Sequence, residues 1–367
     1  MIKSIEINNF RCFNESKFSG FQSINLIGGK NNAGKTAFLE SIFLNTSPKV
    51  SSIELLRRFR GIDATFMKEM PERAWDNLFK DFNKKEATII IQSEDSSKLK
   101  LTLSSDASVD DFVHLISDDN DKLFSSSEEF SEIKELLSNK KSTKSTLHLR
   151  YSFNDKNDVI STLVAYNKGI LGKDMNIPDF SDIFFIPSSL KLSSQALAEE
   201  FDKADLNGFS DRLLSAFQII DSQITEVKTL SIGSPSIYLR SKSGELLPIG
   251  LFGDAINKVS FFILKILNSK NSIILIDEIE NGIHYSIQRS LWEKIFQLAS
   301  EFNVQIFATT HSIEMIKAFS DILAQHKDRG QYFEFYRHYK TGEINANLHT
   351  FDTLSFELQN KMPIRGE

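Results

Sequence analysis

Hydrophobic and polar residues follow two periods along the chain, and these periods predict its strands and helices. The N-terminal IKSIEINNF alternates apolar and polar residues, which predicts an edge strand. The short apolar runs SINLIGG, SIILIDE and VQIFATT predict buried strands. In the last third, helical patterns at about 254–267, 285–302 and 312–325 alternate with such strands. This alternation predicts a parallel sheet covered by helices.

Other segments predict antiparallel structure and surface additions. ATIIIQS, LKLTLSS, LHLRYSF and VISTLVAY read as paired strands, and SPSIYLRSKSGELLPI predicts a hairpin with Gly244 in its turn. Helical patterns cover about 48–82 and 193–224, the second resembling a lid. The serine- and charge-rich stretch at 106–146 predicts a solvated insertion with one or two short helices. YFEFYRHYKTGEINANLHTF predicts a closing hairpin, which a short helix follows.

Together these patterns predict an α/β fold in one domain. We expect a mixed or parallel central sheet flanked by helices, an antiparallel β subdomain and a helical lid insertion. The predicted parts are an N-terminal lobe at 1–48, a β subdomain with insertions at 49–230, a second lobe at 231–330 and a C-terminal hairpin and helix at 331–367.

Composition narrows the class of protein. A hydrophobic share of 41% with 25% charged residues is ordinary for a soluble globular chain of 367 residues. The net charge of -6 does not favour nucleic-acid binding without a local basic patch. The single cysteine, Cys12, excludes an internal disulfide and a zinc cluster built on thiolates. No signal-peptide pattern opens the chain, and no apolar run is long enough to cross a bilayer, so we expect a cytoplasmic protein.

A phosphate-binding loop is predicted between the strand SINLIGG and the helix that follows it. Gly29, Gly34, Lys35 and Thr36 fit G-x-x-x-x-G-K-[ST], in which backbone N–H groups surround a phosphate and the helix start adds positive potential. Lys35 would reach the β- and γ-phosphates, and Thr36 would ligate Mg²⁺. The predicted nucleotide-binding residues of the loop are Gly29, Lys30, Asn31, Asn32, Ala33, Gly34, Lys35, Thr36 and Ala37.

Two further strands end in residues suited to phosphate chemistry. SIILIDE ends in Asp277, which could hold Mg²⁺, and Glu278, which could polarise the attacking water. VQIFATT is followed by His311, and ligands collect at the carboxyl ends of strands in open α/β sheets. His311 could therefore sense the γ-phosphate. His284 is a weaker candidate and could equally lie at an interface.

These motifs, in this order, resemble those of ABC-type ATPases of the RecF/SMC/OLD branch, closest to stand-alone OLD-like ATPases that lack the Toprim nuclease domain. IEINNFRCF resembles the opening strand, GGKNNAGKT the Walker A motif, ILIDEIENGIH the Walker B motif with the D-loop, and FATTHS the switch-histidine loop. The resemblance implies ATP and Mg²⁺ as cofactors, with Lys35, Glu278 and His311 catalytic and Asn281 in the D-loop. Arg11 would approach the nucleotide or have a simple surface role.

The signature loop of this family departs from its usual form here. The matching stretch is LPIGLFGDAINKVS, in which Gly250 or Leu251 stands where a serine is expected, and Gly253 and Asp254 follow. The resemblance implies that ATP is sandwiched between two copies of the chain. Gly250, Gly253 and Asp254 would then contact the γ-phosphate bound by the partner copy.

The leading functional hypothesis is an ATPase switch that dimerises on ATP and controls a separately encoded effector, a nuclease, in bacterial anti-phage defence. The segment after His311 is too short for a Toprim domain, and there are no heptad arms for chromosome tethering. A RecF-like ATPase that clamps DNA during repair is the second hypothesis. The ATPase subunit of a membrane transporter is the third.

Overall fold

In a computed structural model, the structure describes residues 1–62, 64–83, 86–106, 134–135, 143–174, 182–190 and 192–364. The predicted insertion at 106–146 lies largely outside these residues. The strands are β1 Ile2–Phe10, β2 Phe13–Ser19, β3 Ile24–Gly29, β4 Ala87–Ser93, β5 Lys98–Asp106, β6 Lys144–Phe153, β7 Lys156–Tyr166, β8 Gly169–Lys173, β9 Ile183–Ile186, β10 Ile224–Leu230, β11 Ser236–Ser241, β12 Leu246–Pro248, β13 Ile273–Ile276, β14 Gln305–Thr309, β15 Gly330–Arg337 and β16 Ile344–His349.

The helices fall between these strands. They are α1 Lys35–Thr46, α2 Val50–Phe59, α3 Ala64–Glu69, α4 Ser194–Leu206, α5 Ser210–Phe217, α6 Asp254–Leu267, α7 Tyr285–Phe302, α8 Ile313–Leu323 and α9 Phe351–Gln359. Short 3₁₀ turns occupy much of the remaining predicted helical region at 48–82. In the part of the chain that the structure describes, no helix is both long enough and apolar enough to span a membrane.

A six-stranded sheet forms the centre of the fold, in the order β16-β15-β3-β14-β13-β9. All neighbouring strands in it are parallel except β16, which is antiparallel to β15. The predicted α/β architecture with a mixed central sheet is therefore confirmed. The strand β15 of the closing hairpin pairs with β3 along its length, so the C-terminal segment completes the sheet that carries the phosphate-loop motif.

A seven-stranded antiparallel sheet, in the order β2-β1-β4-β5-β6-β7-β8, packs over the central sheet. The prediction that IKSIEINNF forms an edge strand is wrong, because β1 pairs with β2 on one side and with β4 on the other. Its alternation reflects a sheet with one face in the core, where Ile5 and Ile7 are fully buried. The predicted hairpin around Gly244 is present as β11 and β12, and β10 adds a third strand.

Two hydrophobic cores lie on the two faces of the central sheet. Successive residues of β14 alternate between them, with Ile306 and Ala308 in the core beneath the helices and Phe307 in the core beneath the antiparallel sheet. Because both faces are covered, the parallel strands are almost continuously apolar. The helices α4 and α5 bury Phe201 and Phe217 in the first core, while their role as a lid stays a prediction.

Candidate functional site

The loop between β3 and α1 has a backbone that only small residues allow. Gly29 and Gly34 have φ values of 146° and 85°. A Cβ atom on Gly29 would lie 2.4 Å from the backbone oxygen of Phe335, so a side chain has no space there. The preceding Gly28 is also required, since a Cβ atom would lie 2.1 Å from the Tyr332 hydroxyl. The paired glycines thus let the loop lie against β15.

Lys35 folds back over this loop at the start of α1. Its Nζ donates to the backbone oxygens of Gly29, at 2.6 Å, and Lys30, at 2.9 Å. Burial lowers the pKa of Lys35, while the carboxylates of Glu280, Asp277 and Glu278 act to raise it. No side chain caps the N-terminus of α1, so its first N–H groups point into the loop without a side-chain acceptor. The loop therefore has the donors and the positive charge that a phosphate requires.

Asp277 lies at the carboxyl end of β13, next to Thr36. The Thr36 hydroxyl is 3.1 Å from each carboxylate oxygen of Asp277. The Thr309 hydroxyl donates to the same carboxylate at 2.7 Å. Burial raises the pKa of Asp277, and the two threonine hydroxyls act to lower it. A buried carboxylate that forms no ion pair in the described part of the chain, beside a hydroxyl oxygen, fits Mg²⁺, which prefers oxygen ligands.

Glu278 follows in a strained backbone conformation, with φ at 51°. Its N–H donates to the Thr309 hydroxyl at 2.8 Å, and Asn281 Nδ2 donates to its carboxylate at 3.0 Å. The structure thus brings Asn281 against Glu278, in a turn whose geometry Thr309 holds. Thr309 was not among the residues predicted from the sequence, although it stands in the quoted FATTHS motif.

His311 lies in the turn after β14, beside the turn after β13. Its side chain is 49% exposed, and its Nδ1 lies 2.8 Å from a carboxylate oxygen of Glu280, which is only 9% exposed. The backbone N–H of His311 donates to the same oxygen at 2.8 Å. Sequence reasoning did not assign Glu280, although it lies two residues beyond Glu278 in the acidic motif. His284 caps α7 instead, accepting from the Ser286 N–H.

Arg11 does not have the simple surface role that was one of its two predicted alternatives, since its side chain is 5% exposed. Its Nε lies 2.9 Å from the carboxylate of Glu40, a residue of α1 that is 1% exposed. Arg60 donates to both oxygens of Glu40, at 2.7 and 2.8 Å. The two guanidinium groups thus share one buried carboxylate. Glu40 and Arg60 were missed because nothing in their local sequence marks this pairing.

The phosphate loop, the two arginines, Asp277 and Glu278 surround an open cleft of about 1120 Å³, while His311 is not among its described lining residues. Its lining residues are Arg11, Cys12, Asn31, Asn32, Ala33, Gly34, Lys35, Thr36, Ala37, Arg60, Asn77, Phe79, Lys80, Asp81, Phe82, Asp277, Glu278 and Arg337. Its size suits a nucleotide.

The predicted signature residues lie elsewhere. Among the described residues, Gly250 and Gly253 do not line the cleft, and α6 begins at Asp254. Leu251, between the two glycines, is 70% exposed, so this loop faces outward.

A phosphate loop, an acidic strand end and a histidine turn at the carboxyl ends of the strands of a mixed sheet are the features of an ATPase site. Residues 24–317 match the family described as "AAA domain, putative AbiEii toxin, Type IV TA system", and the chain belongs to this family. The protein hydrolyses ATP, as this family and its similarity to a named phosphatase indicate.

That phosphatase is the "ATP/GTP phosphatase" of Helicobacter pylori. It is 23% identical to this chain over 345 residues, and the match covers 89% of each protein. Among solved structures, the fold is similar to the Smc head domain with an extended coiled coil bound to the C-terminal domain of ScpA, derived from Pyrococcus furiosus. The TM-score is 0.50 at 10% identity, with 98% of this chain and 99% of that chain covered. This second similarity shows the fold alone.

Proposed function

We propose that this protein is an ATP-dependent dimerisation switch of the OLD-like type. It controls a separately encoded effector, a nuclease, in bacterial anti-phage defence. The switch proposal rests on one observation, which is that the site within one copy is incomplete. The cleft contains the phosphate loop and the acidic pair Asp277 and Glu278, while the signature loop around Gly250 and Gly253 faces outward and does not line it. A second copy would supply that loop.

The residues of the cleft have separate tasks in hydrolysis. Lys35 and the loop N–H groups bind the β- and γ-phosphates, and their positive charge favours the transition state. Thr36 and Asp277 would hold Mg²⁺, which would neutralise charge on the phosphates. Glu278 accepts a proton from the attacking water as that water bonds to the γ-phosphorus and the bond to the ADP oxygen breaks. His311 contacts the γ-phosphate and reports its presence.

The lid from the second copy consists of the start of α6. Backbone N–H groups at a helix start favour anions, so a serine is not essential in the signature position. Gly253, with φ at 90°, gives this start a conformation that other residues rarely adopt. ATP would therefore lie between one copy's cleft and its partner's α6, and hydrolysis would release the pair.

The defence role is supported by the family description, which names a toxin of a toxin–antitoxin system. An ATPase rate that duplex DNA increases, with steep salt dependence, would instead favour the RecF-like clamp. Permease genes beside this gene would favour the transporter hypothesis.

Sedimentation of the Glu278→Gln variant tests the switch, because this variant should bind ATP and Mg²⁺ without turning ATP over. We expect a dimer with ATP and a monomer without it. Adding Leu251→Glu should abolish this dimer, since a charge would then face the partner's triphosphate. Leu206→Glu is the matched control, at a leucine that is 88% exposed on α4. A monomer at saturating ATP would refute the proposed sandwich.

A further inference from the structure

Glu280 is buried beside the histidine turn, yet it uses only one of its two carboxylate oxygens. Oε1 receives the His311 backbone N–H and lies against His311 Nδ1, both at 2.8 Å. Oε2 is buried and has no hydrogen-bond partner within the described part of the chain. A carboxylate that served only to join two turns would be expected to satisfy both oxygens. Here its hydrogen bonds go to one residue, His311.

The contact at Nδ1 restricts the chemistry of the His311 ring. An ionised carboxylate only accepts hydrogen bonds, so the nitrogen facing it must carry a proton. Nδ1 is then the donor, and Nε2 becomes the nitrogen with which the ring can meet the nucleotide. The backbone bond to the same oxygen fixes the position of the carboxylate relative to the ring. Ring orientation and protonation are therefore set together.

The charge of Glu280 also reaches the phosphate loop. Three carboxylates act to raise the pKa of Lys35, and Glu280 has the largest effect of the three. Burial of Lys35 acts in the opposite direction and lowers this pKa. Glu280 thus lies close enough to influence both Lys35 and His311, the two side chains that the proposed mechanism places at the phosphates. A loss of this carboxylate should act on turnover through His311, and any effect through Lys35 should instead appear in ATP binding.

We propose that Glu280 is a positioning residue that keeps His311 Nδ1 donating to its carboxylate and directs Nε2 at the γ-phosphate, to which Nε2 donates when it also carries a proton. This inference rests on the proposed role of His311 in hydrolysis. In the Ser-His-Asp triad, an acid behind a histidine holds the tautomer and stabilises the charged ring in the same way. The proposal adds a third carboxylate to the site, distinct in task from Asp277 and Glu278.

Steady-state ATP hydrolysis by Glu280→Gln tests the proposal, because the amide can still accept the backbone bond while the charge is lost. We expect kcat to fall about 10- to 100-fold, with KM for ATP changed less than about twofold. Glu301→Gln is the matched control, since its carboxylate forms an ion pair with Arg212 on another helix. In a His311→Ala background, Glu280→Gln should cost little further activity, since the ring on which it acts is gone.

Nitrogen-15 NMR of the histidine-labelled protein tests the tautomer without relying on activity. The His311 signals are identified by their loss in His311→Ala. We expect the wild type to show a protonated Nδ1 and Glu280→Gln to shift protons toward Nε2. An unprotonated Nδ1 in the wild type would overturn the positioning role. If His311→Ala left kcat unchanged, the proposed catalytic role of His311 would fail, while the NMR result would still decide the positioning.

Discussion

Replacement of Glu40 should change the free energy of unfolding without removing any of the proposed catalytic groups. Its carboxylate is 1% exposed and faces the Arg11 guanidinium, which is 5% exposed. Arg60, the second partner, is 37% exposed. Glu40→Gln would therefore leave one buried positive charge without its counterion and one partly exposed charge that water can solvate.

The expected cost follows from these exposures. Removing one partner of a buried ion pair costs about 3–5 kcal/mol, whereas an exposed pair contributes about 0–1 kcal/mol. Arg11 keeps one neutral acceptor, the Asn77 backbone oxygen at 2.8 Å. Burial already lowers the pKa of Arg11, and the charge of Glu40 acts against this. We therefore expect Glu40→Gln to lower the free energy of unfolding by about 3 kcal/mol.

Urea unfolding, followed by tryptophan fluorescence, measures this loss. Glu94→Gln is the control, because its ion pair with Lys3 is exposed and should contribute less than about 1 kcal/mol. The double variant Arg11→Met with Glu40→Leu should recover much of the stability, since neither charge is then buried alone. A loss below about 1 kcal/mol for Glu40→Gln, equal to that of the control, would refute the reasoning.

Two further predictions concern the cleft. Lys35→Ala should weaken ATP binding by a factor of about 100 or more, because it removes the charged hydrogen bonds to the phosphates. Isothermal titration calorimetry measures the affinity, and Lys270→Ala, at an exposed lysine, is the control. An unchanged affinity in Lys35→Ala would exclude the phosphate-loop assignment. Asp277→Asn should reduce turnover about 100-fold or more while raising the melting temperature of the nucleotide-free protein. Burial raises the pKa of Asp277 in the folded protein above its value in the unfolded chain. The folded protein therefore loses stability as the pH rises through the folded-state pKa and Asp277 ionises. Asparagine does not ionise, so the variant does not lose this stability. Thermal melts at several pH values that showed the wild type more stable than this variant above that pKa would contradict the sign.

Local sequence patterns predicted the parts of the fold and site that short segments encode. The bounds 254–267 and 285–302 agree with α6 and α7, because each helix has a periodic apolar face and a clear stop. The phosphate loop and the acidic strand end are also contiguous, and parallel strands bring their ends to one edge. These features could be predicted because the residues of each one are neighbours in the sequence.

Contacts between distant segments were not predictable in the same way. The alternation in IKSIEINNF suits an edge strand and an inner antiparallel strand equally, and only its pairing with β4 decides between them. Likewise, Glu40 in α1 and Arg60 just after the end of α2 are unremarkable in their local sequence, and their ion pair exists because α1 and α2 meet. The closing hairpin reads alike whether it stands apart or joins the central sheet through β15. In each case the deciding partner is far away in the sequence.

The hydrogen bonds around Thr309 support the proposal that a second copy, and not a rearrangement within one copy, controls hydrolysis. Its hydroxyl donates to Asp277 and accepts from the Glu278 N–H, while its backbone oxygen accepts from the Ile279 N–H at 3.0 Å. With the Glu280 contact to His311, these bonds fix the acidic turn and the histidine turn before nucleotide arrives. Because these two turns are already ordered, none of the free energy of ATP binding is needed to order them. That free energy can instead favour closure of the open side of the cleft. In the proposed dimer, the outward loop around Gly253 is the part that the switch would bring to the partner's cleft.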